Sequence, residues 1–478
     1  KLYIIDATKI GVKAGLGKRI NMIMQSVFFK LSGVMPFEAA IELLKGSIKK
    51  MYGKKGDKVV QMNIDGVNAS CDGIVECEVP AAWAQATGGP ESADIEVAAG
   101  ASDSLLRAAE FAKKIQTPVN DLDGNSLPVS TFEPGGRVPL GTSQFEKRGI
   151  AINVPRVDMD KCTQCNKCSL ICPHAAVRPF LLSQQELDSA PADFKAGSRA
   201  AIGGGVLDNY HFRIQVSPLD CTGCELCARI CPADALKLEP ADKAITAEKA
   251  NWDFAVTLPD RGDEIDKTTI KGSQFQKPYL EFSGACEGCG ETPHVKLLTQ
   301  LFGDRLMIAN ATGCSSIWGC SAPSFPYTVN EKGEGPAWAN SLFEDNAEFG
   351  FGMRRAFQQR RDYLALQVEN ALKDEAVPMT EKLRKLLQQF LVMRKEKQHD
   401  ALLPRGRSVY HQLMERLEPL LEAEKNNHPS VQNLYDLRDM FGRISHWIIG
   451  GDGWAYDIGY GGLDHVIASE EHINILVL

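Results

Sequence analysis

The sequence predicts an α/β multidomain fold, and three observations carry that prediction. Strand-like and helix-like runs alternate over residues 1–115 and again over 276–478. Over 116–155 the composition shifts to Pro, Gly, Ser, Asp and Asn, as in a small irregular linking module. Residues 156–275 carry a doubled cysteine run that no α/β layer requires. With 478 residues the chain has room for roughly three domains of ordinary size.

Residues 1–115 open on a strand, Leu2 to Asp6, followed by a turn at Gly15 and Gly17 and an apolar helix from Asn21 to about Leu31. A second helix near Pro36 to Tyr52 sets Phe37, Ala40, Ile41 and Leu44 at three-to-four spacing, which makes one buried face, and a proline suits its first turn. This alternation reads as a Rossmann-like α/β piece. The basic run Lys45 to Lys58 reads as a solvated helix end before it reads as a phosphate site. Cys71 and Cys77 lack further partners in sequence and read as packed thiols. Ala81 to Ala101 reads as a loop, and Ala101 to Lys114 as a helix with Leu105, Leu106, Ala109 and Ala112 on one stripe.

The cysteine run reads CTQCNKCSLICP from Cys162 and CTGCELCARICP from Cys221. Three cysteines at two-residue gaps, then a fourth before proline, are the spacing of two [4Fe–4S] clusters, in which the fourth thiolate of each half serves the other half's cluster. The expected sets are Cys162, Cys165, Cys168 and Cys231 for one, and Cys221, Cys224, Cys227 and Cys172 for the other. Zinc knuckles are the alternative, but zinc closes its four ligands locally and does not demand the doubled run. The segment therefore reads as an α+β ferredoxin-like 2[4Fe–4S] domain. Its halves are separated by an insertion with a polar helix, Ser183 to Ser189, and a glycine run, Gly203 to Gly205, that reads as a turn.

From 276 onward a second constellation appears, with Cys286 and Cys289 as CxxC at a loop-to-helix junction and Cys314 and Cys320 further on. Spacing leaves a redox-active disulfide, a structural zinc and a third cluster all open. Helices dense in Arg, Lys, Glu and Gln occupy 350–440, with Leu383, Leu386, Leu387, Phe390 and Leu391 on one apolar face and the charges outward. The last stretch runs a strand, Trp447 to Ile449, into Gly450-Gly451-Asp452-Gly453, a helix and a final strand. A Gly-Asp-Gly after a strand suits a Mg²⁺–diphosphate site, because glycines let backbone approach phosphates and a carboxylate is a hard ligand. Any tight turn can also contain it. The stretch resembles the opening of the metal–diphosphate motif of thiamine diphosphate enzymes, and that resemblance implies a closing asparagine about thirty residues on, just past Leu478.

Composition excludes some classes. A net charge of −8 gives no support to nucleic-acid binding. No apolar run is long enough to span a bilayer. Fourteen cysteines, eight in the cluster pattern, point to a reducing compartment. Both termini fall inside strand-like runs and read as excisions from a longer polypeptide.

Taken together, these strings resemble the single-chain pyruvate:ferredoxin (flavodoxin) oxidoreductases, or pyruvate synthases. GLGKRINMIMQSVFFKLSGVMPFEAAIELLK resembles the later part of their coenzyme A-contacting domain III, and FEKRGIAINVP their Glu-Lys-Arg linking domain (Glu146, Lys147, Arg148). SGACEGCGETPH, ATGCSSIWG, SLFEDNAEFGFGMR and IGGDGWAYDIGYGGLDHV resemble their thiamine diphosphate-binding domain, here lacking its end. The resemblance implies oxidative decarboxylation of pyruvate with coenzyme A to acetyl-CoA and CO₂, the electrons passing through three [4Fe–4S] clusters to ferredoxin or flavodoxin. It implies that Cys286, Cys289 and Cys314 ligate a proximal cluster whose fourth ligand lies downstream, with Cys320 a departure from the pattern. It further implies that Glu291 and Cys314 touch thiamine diphosphate, that Gly451, Asp452, Gly453 and Trp454 cradle its diphosphate, and that Asp452 binds Mg²⁺. Asn21 and Asn63 are the weaker candidates for coenzyme A contacts. The groups that grip pyruvate and activate the cofactor are expected outside this segment, which alone should not turn over. The parent is expected to be a homodimer in the cytoplasm or, in a eukaryote, an anaerobic organelle such as a hydrogenosome. A relative acting on another 2-oxoacid, or a diferredoxin-type carrier without carbon chemistry, are the competing readings.

Overall fold

A computed structural model describes residues 1–17, 19–85, 95, 97, 102–320, 324–395 and 409–478. Most of the loop expected over Ala81–Ala101 lies outside the described residues. Contacts divide the chain into two units, 1–93 and 94–478. No helix among the described residues is long and apolar enough to cross a membrane.

In the first unit Asp6 ends strand β1 (Leu2–Ile5) and caps the helix Ala7–Lys13, its carboxylate accepting the Lys9 N–H at 2.8 Å. Helices Asn21–Ser32, Phe37–Tyr52 and Asp57–Ser70 follow. Phe37–Tyr52 buries Ala40, Ile41, Leu44 and Ile48, the face its spacing predicts. The Rossmann-like expectation fails here. Strand β2 (Ile74–Cys77) pairs antiparallel with β1, Leu2 opposite Cys77 and Ile5 opposite Ile74, in a two-stranded sheet. A parallel layer needs successive strands joined by crossovers. Among the described residues, only helices and short turns lie between β1 and β2, and β1 pairs with β2 alone.

The second unit begins with the helix Asp103–Phe111, capped by Ser102, and a largely irregular stretch to residue 152. Strands β3 (Asn153–Val157), β4 (Val177–Leu182), β6 (His211–Val216) and β7 (Leu236–Pro240) build the cysteine-rich body, with β5 (Arg199–Ala200) added from the insertion. β3 pairs antiparallel with β7, and β4 with β6, so each strand of the first half pairs with one of the second. The insertion helix Gln184–Ser189 opens on a capping box between Ser183 and Glu186, and Arg261 grips Glu186 through bonds of 2.6 and 2.8 Å.

The irregular stretch ends as a clamp. Lys147 Nζ lies 2.6 Å from Asp220 Oδ2, beside Cys221, and 4.9 Å above the Phe282 ring. Arg148 pairs with Glu146 and donates to the Ser283 carbonyl at 3.0 Å, and Ser143 Oγ donates to the Glu281 carbonyl at 2.9 Å. The Glu-Lys-Arg triplet thus ties the second cysteine run to the segment leading into Cys286.

The last body is a parallel sheet of order β11-β10-β8-β9, where β8 is Leu306–Ala311, β9 Ala337–Ser341, β10 Ser445–Gly450 and β11 Asn474–Val477. Helices Asn346–Lys373, Glu381–Lys395, Val409–Glu424 and Pro429–Asp436 intervene between β9 and β10 and bury their own core, including Leu383, Leu386, Leu387 and Phe390. The first of these helices lies on β10, where a Cβ on Gly350 would meet Ile448 at 2.5 Å. His446 of β10 is buried against it, Nε2 donating to the Gly350 carbonyl at 2.8 Å, and burial pulls its pKa down to about 4.

Two stability measurements follow. The folded His446 resists protonation, whereas the unfolded chain takes a proton below about pH 6.5, so stability is full above that pH and is lost as pH falls towards 4. The urea midpoint should drop over that window by the equivalent of roughly 2–3 kcal/mol, and His446→Gln should flatten the slope. An unflattened slope would assign the acid sensitivity elsewhere. Lys147→Met leaves the buried Asp220 carboxylate with Ser217 Oγ (2.6 Å) as its remaining partner, and should lower stability by roughly 2 kcal/mol in chemical denaturation.

Candidate functional site

Cys162, Cys165, Cys168 and Cys231 line one cavity, with Val157, Ile214 and Leu236 closing its apolar wall. Strand exchange produces this grouping, since β7 follows Cys231 and lies beside β3, which precedes Cys162. In the other half, Cys172, Cys221, Cys224 and Cys227 act electrostatically on one another. The halves match in backbone detail. Gln164 and Gly223, Asn166 and Glu225, and Ala175 and Asp234 occupy corresponding positions, all at positive φ. These turns aim amides at sulfur: Gln164 N–H donates to Cys162 Sγ and Gly223 N–H to Cys221 Sγ, both at 3.4 Å, and Ala235 N–H to Cys231 Sγ at 3.3 Å. Burial pushes the Cys168 and Cys221 thiols up to about 12 and raises Cys227 as well, so the iron-free thiols stay protonated until a cation displaces their protons. Among the described residues no three His, Cys, Asp or Glu side chains converge as a single metal ion requires. Four thiols around a cavity, with N–H groups aimed at them, are a donor set that fits an iron–sulfur cube.

The CxxC loop packs against the second set. A Cβ on Gly288, which has φ +72, would lie 3.7 Å from Cys224 Cβ. Burial raises the Cys224 thiol, and the backbone amides of Leu226 and Gly288 pull it back down. His174, two residues after Cys172, donates from Nε2 to the Ala285 carbonyl at 3.0 Å, with Thr222 Oγ1 3.4 Å from Nδ1. Deeper in, Lys296 Nζ donates to the carbonyls of Ser169 and Leu170, between Cys168 and Cys172. Burial pulls that ammonium down to about 8, and Cys172 opposes the shift. Neither His174 nor Lys296 stood out in the sequence. A lysine at a helical core position was a signal, but the spacing alone did not say what it faced.

At the carboxyl ends of the sheet the remaining candidates gather. From β8 the chain passes to β9 on one side, and from β10 to β11 on the other, so the switch point lies between β8 and β10. Ligand crevices in open parallel sheets form at that place. Cys314 follows β8 and Gly451, Asp452 and Gly453 follow β10, in strands whose register pairs Asn310 with Ile449. Two buried asparagines strut this edge: Asn310 Nδ2 donates to Ser315 Oγ at 2.8 Å, and Asn346 Nδ2 to the Ile449 carbonyl at 3.1 Å. Glu291 accepts the Trp318 indole N–H at 3.0 Å, tying the loop of Cys289 to the helix that Cys314 begins. Cys286 and Cys314 are exposed and Cys289 half-buried, while Cys320 packs against the apolar cluster around Leu280.

Asp452 is exposed at the start of a helix whose first amides have no intrahelical acceptor. One carboxylate beside free N–H groups fits a Mg²⁺ that takes its other ligands from phosphate and water. The Trp454 ring is fully buried and packs on Gly450, so that residue offers the crevice its backbone only. In the first unit Asn21 is exposed, whereas Asn63 is buried and spends its amide on the Val59 carbonyl at 2.8 Å.

Comparison with known proteins agrees with these features. Residues 1–72 match the family model described as pyruvate ferredoxin/flavodoxin oxidoreductase, and 161–235 a 4Fe-4S dicluster domain. Residues 101–151 match the EKR model, a domain of unknown function. The whole chain is 48% identical to 39% of the pyruvate:ferredoxin oxidoreductase of Moorella thermoacetica and 47% identical to 26% of the pyruvate dehydrogenase [NADP(+)] of Cryptosporidium parvum. With 99% of its length it is 47% identical to 38% of the pyruvate-flavodoxin oxidoreductase of Klebsiella pneumoniae. The chain therefore spans a quarter to two fifths of the length of these relatives. Matched by them from end to end, with its cysteine run inside the dicluster model, the chain is similar along its whole length to part of the pyruvate:ferredoxin and pyruvate-flavodoxin oxidoreductases.

Proposed function

We propose that this chain is the electron-conducting and cofactor-holding part of an enzyme that oxidatively decarboxylates pyruvate with coenzyme A and delivers electrons to ferredoxin or flavodoxin. The observation that carries this reading is continuity. The Cys286–Cys289 loop borders the switch-point crevice through Glu291 and Trp318 and packs on Cys224 of the doubled run.

In this reading Cys162, Cys165, Cys168 and Cys231 hold one [4Fe–4S] cluster and Cys172, Cys221, Cys224 and Cys227 a second. Cys286, Cys289 and Cys314 contribute to a third, proximal one. Bound iron–sulfur clusters supply one-electron transfer, and bound thiamine diphosphate supplies the electron sink for releasing CO₂ from a 2-oxoacid. The chain's own residues hold and orient. Asp452 offers its carboxylate to Mg²⁺, and the amides of Asp452, Gly453 and Trp454 face the diphosphate. Gly451 lets that group come close, since a Cβ there would meet only the Leu478 carbonyl at 3.8 Å. Trp318 keeps the Glu291 carboxylate oriented at the mouth of the crevice. Apolar walls at Val157, Ile214 and Leu236 keep water from the first cluster. Coenzyme A is assigned to the first unit, with Asn21 the better placed of its two candidates because Asn63 is turned onto its own helix. The thiols suit a reducing compartment, the cytoplasm or, in a eukaryote, an anaerobic organelle such as a hydrogenosome.

After anaerobic reconstitution the doubled run should hold about eight irons and eight acid-labile sulfides per chain. A value near four, or zinc in place of iron, would remove the two-cluster assignment. In the full-length enzyme Asp452→Ala should abolish Mg²⁺-dependent binding of thiamine diphosphate, measured by calorimetry, and unchanged affinity would refute the crevice assignment.

A further inference from the structure

We propose that Lys296 is a positioning residue for electron transfer: a fixed cation, inserted between the two thiol sets, that favours the reduced state of both clusters. The inference rests on the clusters assigned above. Lys296 belongs to the helix Thr292–Phe302, yet its ammonium ends on the carbonyls of Ser169 and Leu170 in the one-turn helix Lys167–Ile171. That turn connects Cys168 of one set to Cys172 of the other, and the charge of Lys296 is felt by both sulfurs.

Its surroundings leave the charge unbalanced. Lys296 is 1% exposed, and among the described residues it has no carboxylate partner. The neighbouring cation Arg178 is neutralised by Glu281, and its guanidinium stacks over Trp252 and Phe282. Lys271 also lies near thiols, those of Cys162 and Cys165, but it is partly exposed and touches one set only. A cluster that accepts one electron gains one negative charge. In a medium that screens poorly, a buried ammonium bonded to the turn that joins the two sets lowers the free energy of that state and raises the reduction potential. A neutral carbonyl partner cannot cancel this effect, as a carboxylate would. The cation is supplied by the same helix that follows the Cys286–Cys289 loop, so the docking that brings this loop to Cys224 also brings the charge.

The test is a redox titration of the reconstituted chain, reduced with dithionite and followed by low-temperature paramagnetic resonance. Lys296→Met keeps length and loses charge. It should retain about eight irons and shift both signals to more negative potential, with the reduced-to-oxidised ratio at fixed poise falling about tenfold, or about 59 mV for a one-electron couple. Lys296→Arg should stay near the parent. Lys271→Met should move only the signal of the first cluster, and by less. Full iron with unshifted signals in Lys296→Met would overturn the proposal and leave the cluster assignment standing. Absence of iron or of any signal in the parent chain would instead overturn the assignment beneath it. Should Lys296→Met lose iron, Lys296→Gln, which keeps a donor for the Ser169 carbonyl, decides. Loss of iron from both neutral variants, with retention in Lys296→Arg, would also overturn the proposal and give the lysine to assembly of the fold.

Discussion

Because β3 pairs with β7 and β4 with β6, neither half of the cysteine-rich body can complete a set of four thiols alone. Each CxxCxxC turn is closed by a cysteine held beside the partner half's strand. The tight turns at positive φ, which recur at matching positions in both halves, exist to bend backbone amides towards sulfur. Those amides matter chemically. Buried thiols resist ionisation here, and N–H groups aimed at them offset part of the cost of holding thiolate charge away from water. Metal, fold and protonation are therefore one coupled equilibrium.

Around that body the chain spends its buried charges on orientation. Arg178 with Glu281, Lys147 over the Phe282 ring, and Arg148 with the Ser283 carbonyl all cross from the cysteine-rich body or the linking stretch to residues 281–283, just before the CxxC loop. Buried ion pairs return little net stability against apolar replacements, but they tolerate few alternative geometries. Electron transfer between neighbouring centres depends steeply on separation. These contacts fix where the loop of Cys286 and Cys289 lies relative to Cys224.

The parallel sheet solves a different problem. Its switch point lies between β8 and β10, where open parallel sheets place ligands, and Asn310 and Asn346 both donate to the Ile449 carbonyl there. The helices between β9 and β10 keep their own hydrophobic core, so they extend the body without filling that edge. The loops after β8 and β10 remain free to present Cys314 and Asp452.

By itself the sequence determined what depends on local spacing: the doubled run of eight cysteines, the apolar face of Phe37–Tyr52, a short helix in the insertion after Ser183, and Gly-Asp-Gly after a strand. Such features are set by contacts a few residues apart, or by cluster stoichiometry, and are written in the order of residues. Tertiary structure alone decided that β1 turns back on β2 instead of joining a parallel layer, because pairing depends on which strands exist to be paired. It alone decided that the Glu-Lys-Arg triplet is a clamp, that Trp454 turns inward, and that Lys296 reaches the carbonyls of Ser169 and Leu170, 127 and 126 positions earlier in the chain. Each of these is a side chain meeting a distant segment, and the free energy of such a meeting has no signature in the neighbours along the chain.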